Sequence, residues 1–186
     1  MVILVLVIPA WSCKKGPSEA EGKALLEEIR RTVTTDAADK QIAELEEKWN
    51  VNELGATPKE IEELREKGHQ ARLRAMCVDI AQTERDVSHK VAELRRLSAE
   101  WKVPLSSLTI RVEKQERKVD ENTLAEVLRR GYVSEAKYWL SEYLNAKQDY
   151  ERVANFEMLK QSLKDAHATP SEIGITDTKL IAILRD

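Results

Sequence analysis

The sequence predicts an all-α fold, a helical bundle built round two long antiparallel coiled-coil-like helices with shorter capped helices. Three observations predict this class. Charged residues make up 34% of the chain and aromatic residues only 5%, which is typical of solvated helices. Six glycines and five prolines are too few turn residues for an all-β fold of this length. Two long segments also carry apolar residues at spacings of three and four, the period of one helix face.

An aliphatic run, VILVLVI, occupies residues 2–8. It is well short of the ~20 residues that a transmembrane helix needs, and it has the length of the apolar core of a signal peptide. The sequence PAWSC follows at residues 9–13, and the polar stretch KKGPS extends to residue 18. These boundaries predict a signal-like apolar segment at residues 1–12, a polar tether at residues 13–18 and a single helical domain at residues 19–186.

Residues 10–13 resemble the end of a bacterial lipoprotein signal, in which a small residue precedes the cysteine that is diacylated and becomes the mature N-terminus. Ser12 and Cys13 match that pattern, and Ala10 suits the position three before the cysteine. The resemblance implies attachment to a membrane through a lipid on Cys13, in the bacterial cell envelope and facing the periplasm or the cell exterior. The alternative is a cytoplasmic protein in which residues 2–8 form a buried strand or helix.

Local start signals predict the first three helices of the domain. Ser18 can form a capping box with Glu21, so a helix is expected to follow to about residue 33. Asp36 opens a second helix, which weakens near residue 50. Thr57 can form a second capping box with Glu60, three residues further on, and proline follows Thr57 at the first helical position, which predicts the start of a third helix.

The two longest apolar patterns are the first seam, from Leu73 to Trp101, and the second seam, from Ala136 to Leu163. Each predicts one long helix with a narrow apolar stripe, and the second helix is expected to begin at Ser134. Two stripes of similar length are buried when the helices pack antiparallel. Either seam would form a homo-oligomer if it packed against a second copy of the chain. The second seam includes Tyr150, Val153 and Phe156.

The segment between the seams is predicted to be helical at residues 108–119, although Leu108, Ile110 and Val112 alternate as in a short strand. Asp120 can cap a following short helix. That helix is expected to end at Gly131, because glycine commonly follows the last helical residue.

Charge and motifs argue against several function classes. The formal charge is −3, from 30 basic and 33 acidic side chains mixed along the chain, and this disfavours binding to nucleic acid. The sequence has no glycine-rich phosphate loop, nucleophile elbow or Cys-x-x-Cys pair, so we expect no enzyme activity and no cofactor. Cys77 is interpreted as a small apolar residue in a helix interface.

Two histidines follow a carboxylate by three residues, the spacing of metal-ligand pairs in some helical bundles. They are His69, after Glu66, and His89, after Asp86. On one continuous helix the pairs would lie roughly 30 Å apart, too far to share a metal ion. Chance pairing on a charged helix surface is the favoured interpretation, and no metal site is expected.

The sequence therefore predicts a membrane-tethered helical protein that acts through protein–protein contacts or as an envelope spacer, with the protein partner left open. The alternative is a cytosolic helical interaction or oligomerisation protein with no lipid anchor. The two predictions differ on one point. Residues 1–12 are absent from the mature chain in the first, and they are present and packed in the second.

Overall fold

The computed structural model describes residues 18–33, 38–112 and 114–185. In these ranges the chain forms seven α-helices and one two-stranded sheet, so the predicted, mostly helical fold is confirmed. The elements are, in chain order, α1 (Glu19–Thr32), α2 (Ala38–Lys48), α3 (Pro58–Gln82), α4 (Val87–Glu100), β1 (Thr109–Val112), β2 (Gln115–Lys118), α5 (Glu121–Asn145), α6 (Asp149–Asp165) and α7 (Thr178–Arg185). Short 3-10 turns occur at Leu105–Ser107 and Pro170–Ile173.

Three apolar cores follow one another along the chain, and two helices of 25 residues, α3 and α5, link them. The first core lies between α1, α2 and the first half of α3. The second core lies between the second half of α3, α4, the β-hairpin and the first half of α5. The third core joins the second half of α5 to α6 and α7. Each long helix therefore contributes apolar side chains to two cores.

The predicted helix starts at Ser18, Thr57 and Asp120 are confirmed by side-chain hydrogen bonds. Ser18 Oγ accepts from the Glu21 N–H at 3.3 Å, and the Glu21 carboxylate accepts from the Ser18 N–H at 2.7 Å. The Thr57 and Asp120 side chains likewise accept from the N–H three residues further on, at 3.1 and 2.7 Å. The predicted start at Asp36 lies outside the described residues.

The first seam does not form the single helix that the sequence predicted. Between α3 and α4, Thr83 is extended (ψ 146°) and Asp86 is left-handed (φ 58°), which reverses the chain. Lys90 Nζ on α4 donates to Asp79 Oδ2 on α3 at 2.7 Å, as expected of an antiparallel pair. The apolar spacing predicted one continuous helix because the intervals of three and four residues continue across the short turn. Such spacing contains no information on whether the chain changes direction.

The second seam is likewise broken. α5 and α6 are separated by residues 146–148, where Ala146 is extended (ψ 126°). The rings of Tyr143 on α5 and Phe156 on α6 approach to 5.8 Å between centroids, so these helices also pack antiparallel. The sequence predicted one helix over the first seam packed antiparallel against one helix over the second seam. This prediction is wrong, because each seam folds into a hairpin of its own.

α5 continues through Gly131 and Ser134, where the sequence predicted the end of one helix and the start of another. A Cβ on Gly131 would lie 2.5 Å from the backbone oxygen of Ile80, near the end of α3, and 3.3 Å from Val87 Cγ1. The glycine therefore permits a close crossing of α5 over the α3–α4 turn instead of ending a helix.

Residues 109–118 form a β-hairpin and not the predicted helix. Leu108, Ile110 and Val112 are all buried in the second core, so the alternation that left a strand open was the correct signal. Lys114 has φ 69°, the left-handed conformation that tight hairpin turns require. In a strand, alternate side chains point to opposite faces. β1 can therefore bury Ile110 and Val112 in the second core while Thr109 and Arg111 stay exposed.

Candidate functional site

Cys13, the predicted lipid-attachment residue, lies outside the described residues, as does the whole apolar segment at residues 1–12. In the part of the chain that the structure describes, no helix is both long enough and apolar enough to cross a membrane. Attachment through Cys13 therefore stays a prediction.

The two histidines considered as metal ligands lie on different helices, His69 on α3 and His89 on α4. The separation of roughly 30 Å along one helix does not apply, because that helix is broken. His69 Nε2 lies 2.9 Å from Asp39 Oδ1, and its ring stacks on Trp101 with centroids 4.0 Å apart and an interplanar angle of 4°. Across the described ranges, no three His, Cys, Asp or Glu side chains are grouped so that they could hold a metal ion.

Cys77 occupies the interior of the second core, next to Leu73 and Ile80 of the same helix face. Burial raises the pKa of its thiol to about 11, because the thiolate would lose its hydration. At neutral pH the side chain is therefore a protonated and unreactive apolar group. This agrees with its interpretation as a small residue in a helix interface.

A buried carboxylate that the sequence analysis missed joins three helices. Glu135 of α5 is 7% exposed. Its Oε1 accepts from the N–H of Val87, the first residue of α4, at 3.3 Å, and its Oε2 accepts from the Ser162 hydroxyl of α6 at 3.2 Å. Asp86 makes no side-chain cap for α4, so Glu135 provides the acceptor from another helix. No local sequence pattern marks this role, because both bound groups come from distant elements.

Exposed apolar side chains are concentrated in the last third of the chain. Among the described residues, the large apolar side chains with high exposure lie at the end of α5, on α6 and on α7. They are Leu144, Tyr150, Val153, Met158 and Ile183. Tyr150 and Val153, which the sequence analysis placed in the second seam, are 72% and 64% exposed. Apolar surface gathered in one region is typical of a site that contacts another molecule.

A groove of about 460 Å³ runs between α6 and α7 in this region. We call it the C-terminal groove. Tyr143 and Phe156 are half-buried and form its aromatic side, while Val153 and Ile183 stand exposed along it. Its residues are Tyr143, Asp149, Arg152, Val153, Phe156, Glu157, Leu180 and Ile183. The groove is thus apolar along its length, with charged side chains of both signs at its rim.

α7 completes the groove and is itself incompletely covered. Its sequence, TKLIAILR, has five consecutive apolar residues. Leu180, Ile181 and Leu184 pack against the third core, but no residue of α7 with described burial is fully buried. Asp177 Oδ1 accepts from the N–H of Lys179 at 2.8 Å, which fixes the start of the helix. The helix therefore presents one apolar face to the core and another, through Ile183, to solvent.

Comparisons of the chain with protein-family models, with curated proteins and with solved structures found no match.

Proposed function

We propose that the chain is a non-enzymatic helical protein, tethered to a bacterial membrane through a lipid on Cys13, that binds a protein partner in the C-terminal groove. The observation that carries the binding half is that two exposed large apolar side chains, Val153 and Ile183, line this groove on opposite sides. The tethering half rests on the match of Ser12 and Cys13 to the lipoprotein pattern. A cytosolic interaction protein with the same groove is the alternative, and it differs only in lacking the lipid.

The chemistry of the C-terminal groove favours an amphipathic helix as the bound element. Such a helix inserts apolar residues spaced by three and four into a hydrophobic groove and keeps its polar face in water. Asp149, Arg152 and Glu157 line the rim, where they can pair with charges on the flanks of the helix. Each large side chain that becomes buried stabilises the complex by about 1.5–3 kcal/mol.

A second copy of the chain is the alternative partner. The first seam is disfavoured as a dimer interface because its apolar residues already fill the second core, as Leu73, Leu94 and Leu97 do. In the second seam, Tyr150 and Val153 remain exposed. Self-association would therefore use the second seam, and the mass of a crosslinked product distinguishes it from binding to a different protein.

The tether is tested by intact mass spectrometry of the protein purified from membranes of a bacterial host, beside a Cys13→Ser variant. We expect the wild type to begin at Cys13 with an added diacylglyceryl group, and the variant to lack that group. A chain that keeps Met1 and is found in the soluble fraction contradicts the tether and favours the cytosolic alternative.

The groove is tested by photo-crosslinking in the same host, with a benzoylphenylalanine in place of Tyr150 and, as the control, in place of the exposed Lys59. We expect a discrete product from position 150 that is lost when Ile183, on the other side of the groove, is changed to Glu. Ala182→Glu, one residue earlier on α7, is the matched control and should keep the product. A product that survives Ile183→Glu, or no product at position 150, contradicts binding in the groove.

A further inference from the structure

A second groove, of about 510 Å³, lies between α3 and β1, away from the C-terminal groove. On the α3 side Ala71, Ala75 and Val78 leave space along the helix, between the longer polar side chains of Arg74, Asp79 and Gln82. On the other side it is lined by Thr109, Ile110 and Arg111 of β1, and its described lining includes no residue of β2. It therefore follows the edge of β1 that β2 leaves unpaired. We call it the strand-edge groove.

The hydrogen-bond register shows which backbone groups face this groove. Leu108 O accepts from the Val119 N–H at 3.0 Å, so Leu108 directs its backbone groups toward β2. Backbone direction alternates along a strand. Ile110 therefore faces its partner on β2, while Thr109 and Arg111 point their N–H and C=O groups to the opposite edge. Two donors and two acceptors at the spacing of a β-ladder thus line the groove.

The charges in the strand-edge groove are not balanced. Arg74 Nη2 donates to Gln70 Oε1 at 3.2 Å, whereas Arg74 Nε is buried and has no hydrogen-bond partner among the described residues, so no carboxylate neutralises the Arg74 charge there. The Arg111 side chain is 71% exposed, and its contact with Glu116 is long, at 3.5 Å. The one acidic side chain of the lining, Asp79, is paired with Lys90 at 2.7 Å. The groove therefore offers positive charge that an acidic ligand can neutralise.

We propose that the strand-edge groove binds an extended, acidic segment of a partner protein, which adds a third strand to the sheet beside β1. The backbone of the segment exchanges hydrogen bonds with Thr109 and Arg111, and a carboxylate of the segment accepts from Arg74. Alternate side chains of an added strand point to one face. A segment that alternates acidic and small apolar residues therefore fits both Arg74 and the surface of Ala75 and Val78. This proposal goes beyond the function proposed above, because the strand-edge groove is a different surface from the C-terminal groove and its ligand is an extended strand instead of an amphipathic helix.

The test uses the full chain in detergent micelles with a short fluorescent peptide of alternating Glu and Val, and a Lys and Val peptide of the same length as control. We expect saturable binding of the Glu peptide and not of the Lys peptide by fluorescence anisotropy. Amide hydrogen exchange should slow at Thr109 and Arg111 when the Glu peptide binds. It should change little at Ile110, whose N–H is already paired with β2.

Variants locate the bound peptide. Arg74→Gln should weaken binding about tenfold or more, the loss expected from one charge-assisted hydrogen bond, whereas Arg95→Gln on the exposed surface of α4 should not. Ala75→Trp fills the groove at an exposed position and should abolish binding in a chain whose circular dichroism is unchanged. If Arg74→Gln fails to fold, loss of binding in the Ala75→Trp variant still tests whether the peptide lies in the strand-edge groove.

Three results would overturn the proposal. One is equal affinity for the Glu and Lys peptides, or no binding of either, in which case Arg111 serves to keep the strand edge unpaired. Another is unchanged amide exchange at Thr109 and Arg111 with the peptide bound. The third is binding that is removed by Ile183→Glu and kept by Ala75→Trp, which would place the peptide in the C-terminal groove.

Discussion

The second and third cores are each built round a helical hairpin, α3–α4 in one and α5–α6 in the other. In the second core, the β-hairpin and α5 cover the apolar face of α3–α4, and Leu73, Ile80 and Leu94 are at most 1% exposed. In the third core, the remaining cover comes from α7, a helix of eight residues, and from a 3-10 turn. Tyr150 and Val153 stay largely exposed there. The same apolar spacing therefore yields a closed core or an open groove according to the size of the element that covers it.

The largest expected difference between the two hairpins is in the cost of truncating one apolar side chain. Leu94→Ala removes a side chain that is 1% exposed, so we expect a loss of about 2–5 kcal/mol in the free energy of unfolding. Val153→Ala, in the exposed part of α6, should change it by less than about 0.5 kcal/mol. Urea denaturation followed by circular dichroism measures both. Equal losses would mean that Val153 is covered in the folded chain.

Gly131→Ala tests the close crossing that closes the second core. The new methyl group would meet the backbone oxygen of Ile80, and we expect a loss of about 1–3 kcal/mol from overpacking. Helix propensity acts in the opposite direction and favours alanine by about 1 kcal/mol. Ala154→Gly on the exposed face of α6 is the control, since it should lose only that propensity. A stabilised Gly131→Ala variant would show that α5 and α3 are further apart than described.

A smaller effect is expected from pH, through Cys77. Its pKa is about 11 in the folded chain and about 8.5 in an unfolded one. Above about pH 8.5 the unfolded chain therefore releases a proton that the folded chain keeps, and the free energy of unfolding falls as the pH rises. Between about pH 7 and about pH 9 the wild type should lose about 1 kcal/mol more than Cys77→Ala. Equal losses in the two proteins, or rapid labelling of Cys77 by a thiol reagent in a folded Cys13→Ser background, would indicate an accessible thiol.

Helix starts were predictable because their chemistry is local. Ser18, Thr57 and Asp120 each bond a backbone N–H three residues further on, and the sequence contains both partners. The chain reversals were not predictable from spacing, because residues 83–86 contain neither glycine nor proline. The α4 start is satisfied by Glu135, which is 48 residues distant from Val87.

Gly131 and the strand of residues 108–112 were misinterpreted for a different reason. Each local sequence pattern is compatible with two structures, and only contacts with other elements determine which one forms. A glycine near a predicted helix end suits a cap as well as a close helix crossing, and an alternating pattern within a charged segment suits one turn of helix as well as a strand. The open groove was missed in the same way, because Val153 and the buried Leu159 lie on the same helix and no local feature distinguishes them.

Trp101 follows the last residue of α4, and its indole stacks on His69 of α3, which in turn contacts Asp39 of α2. An imidazole in contact with an indole can quench its fluorescence. The fluorescence of Trp101 therefore depends on how α2, α3 and α4 are held together. Once the three other tryptophans of the chain, Trp11, Trp49 and Trp139, are replaced, the fluorescence lifetime of Trp101 reports how the first and second cores are held together, and it needs no attached dye.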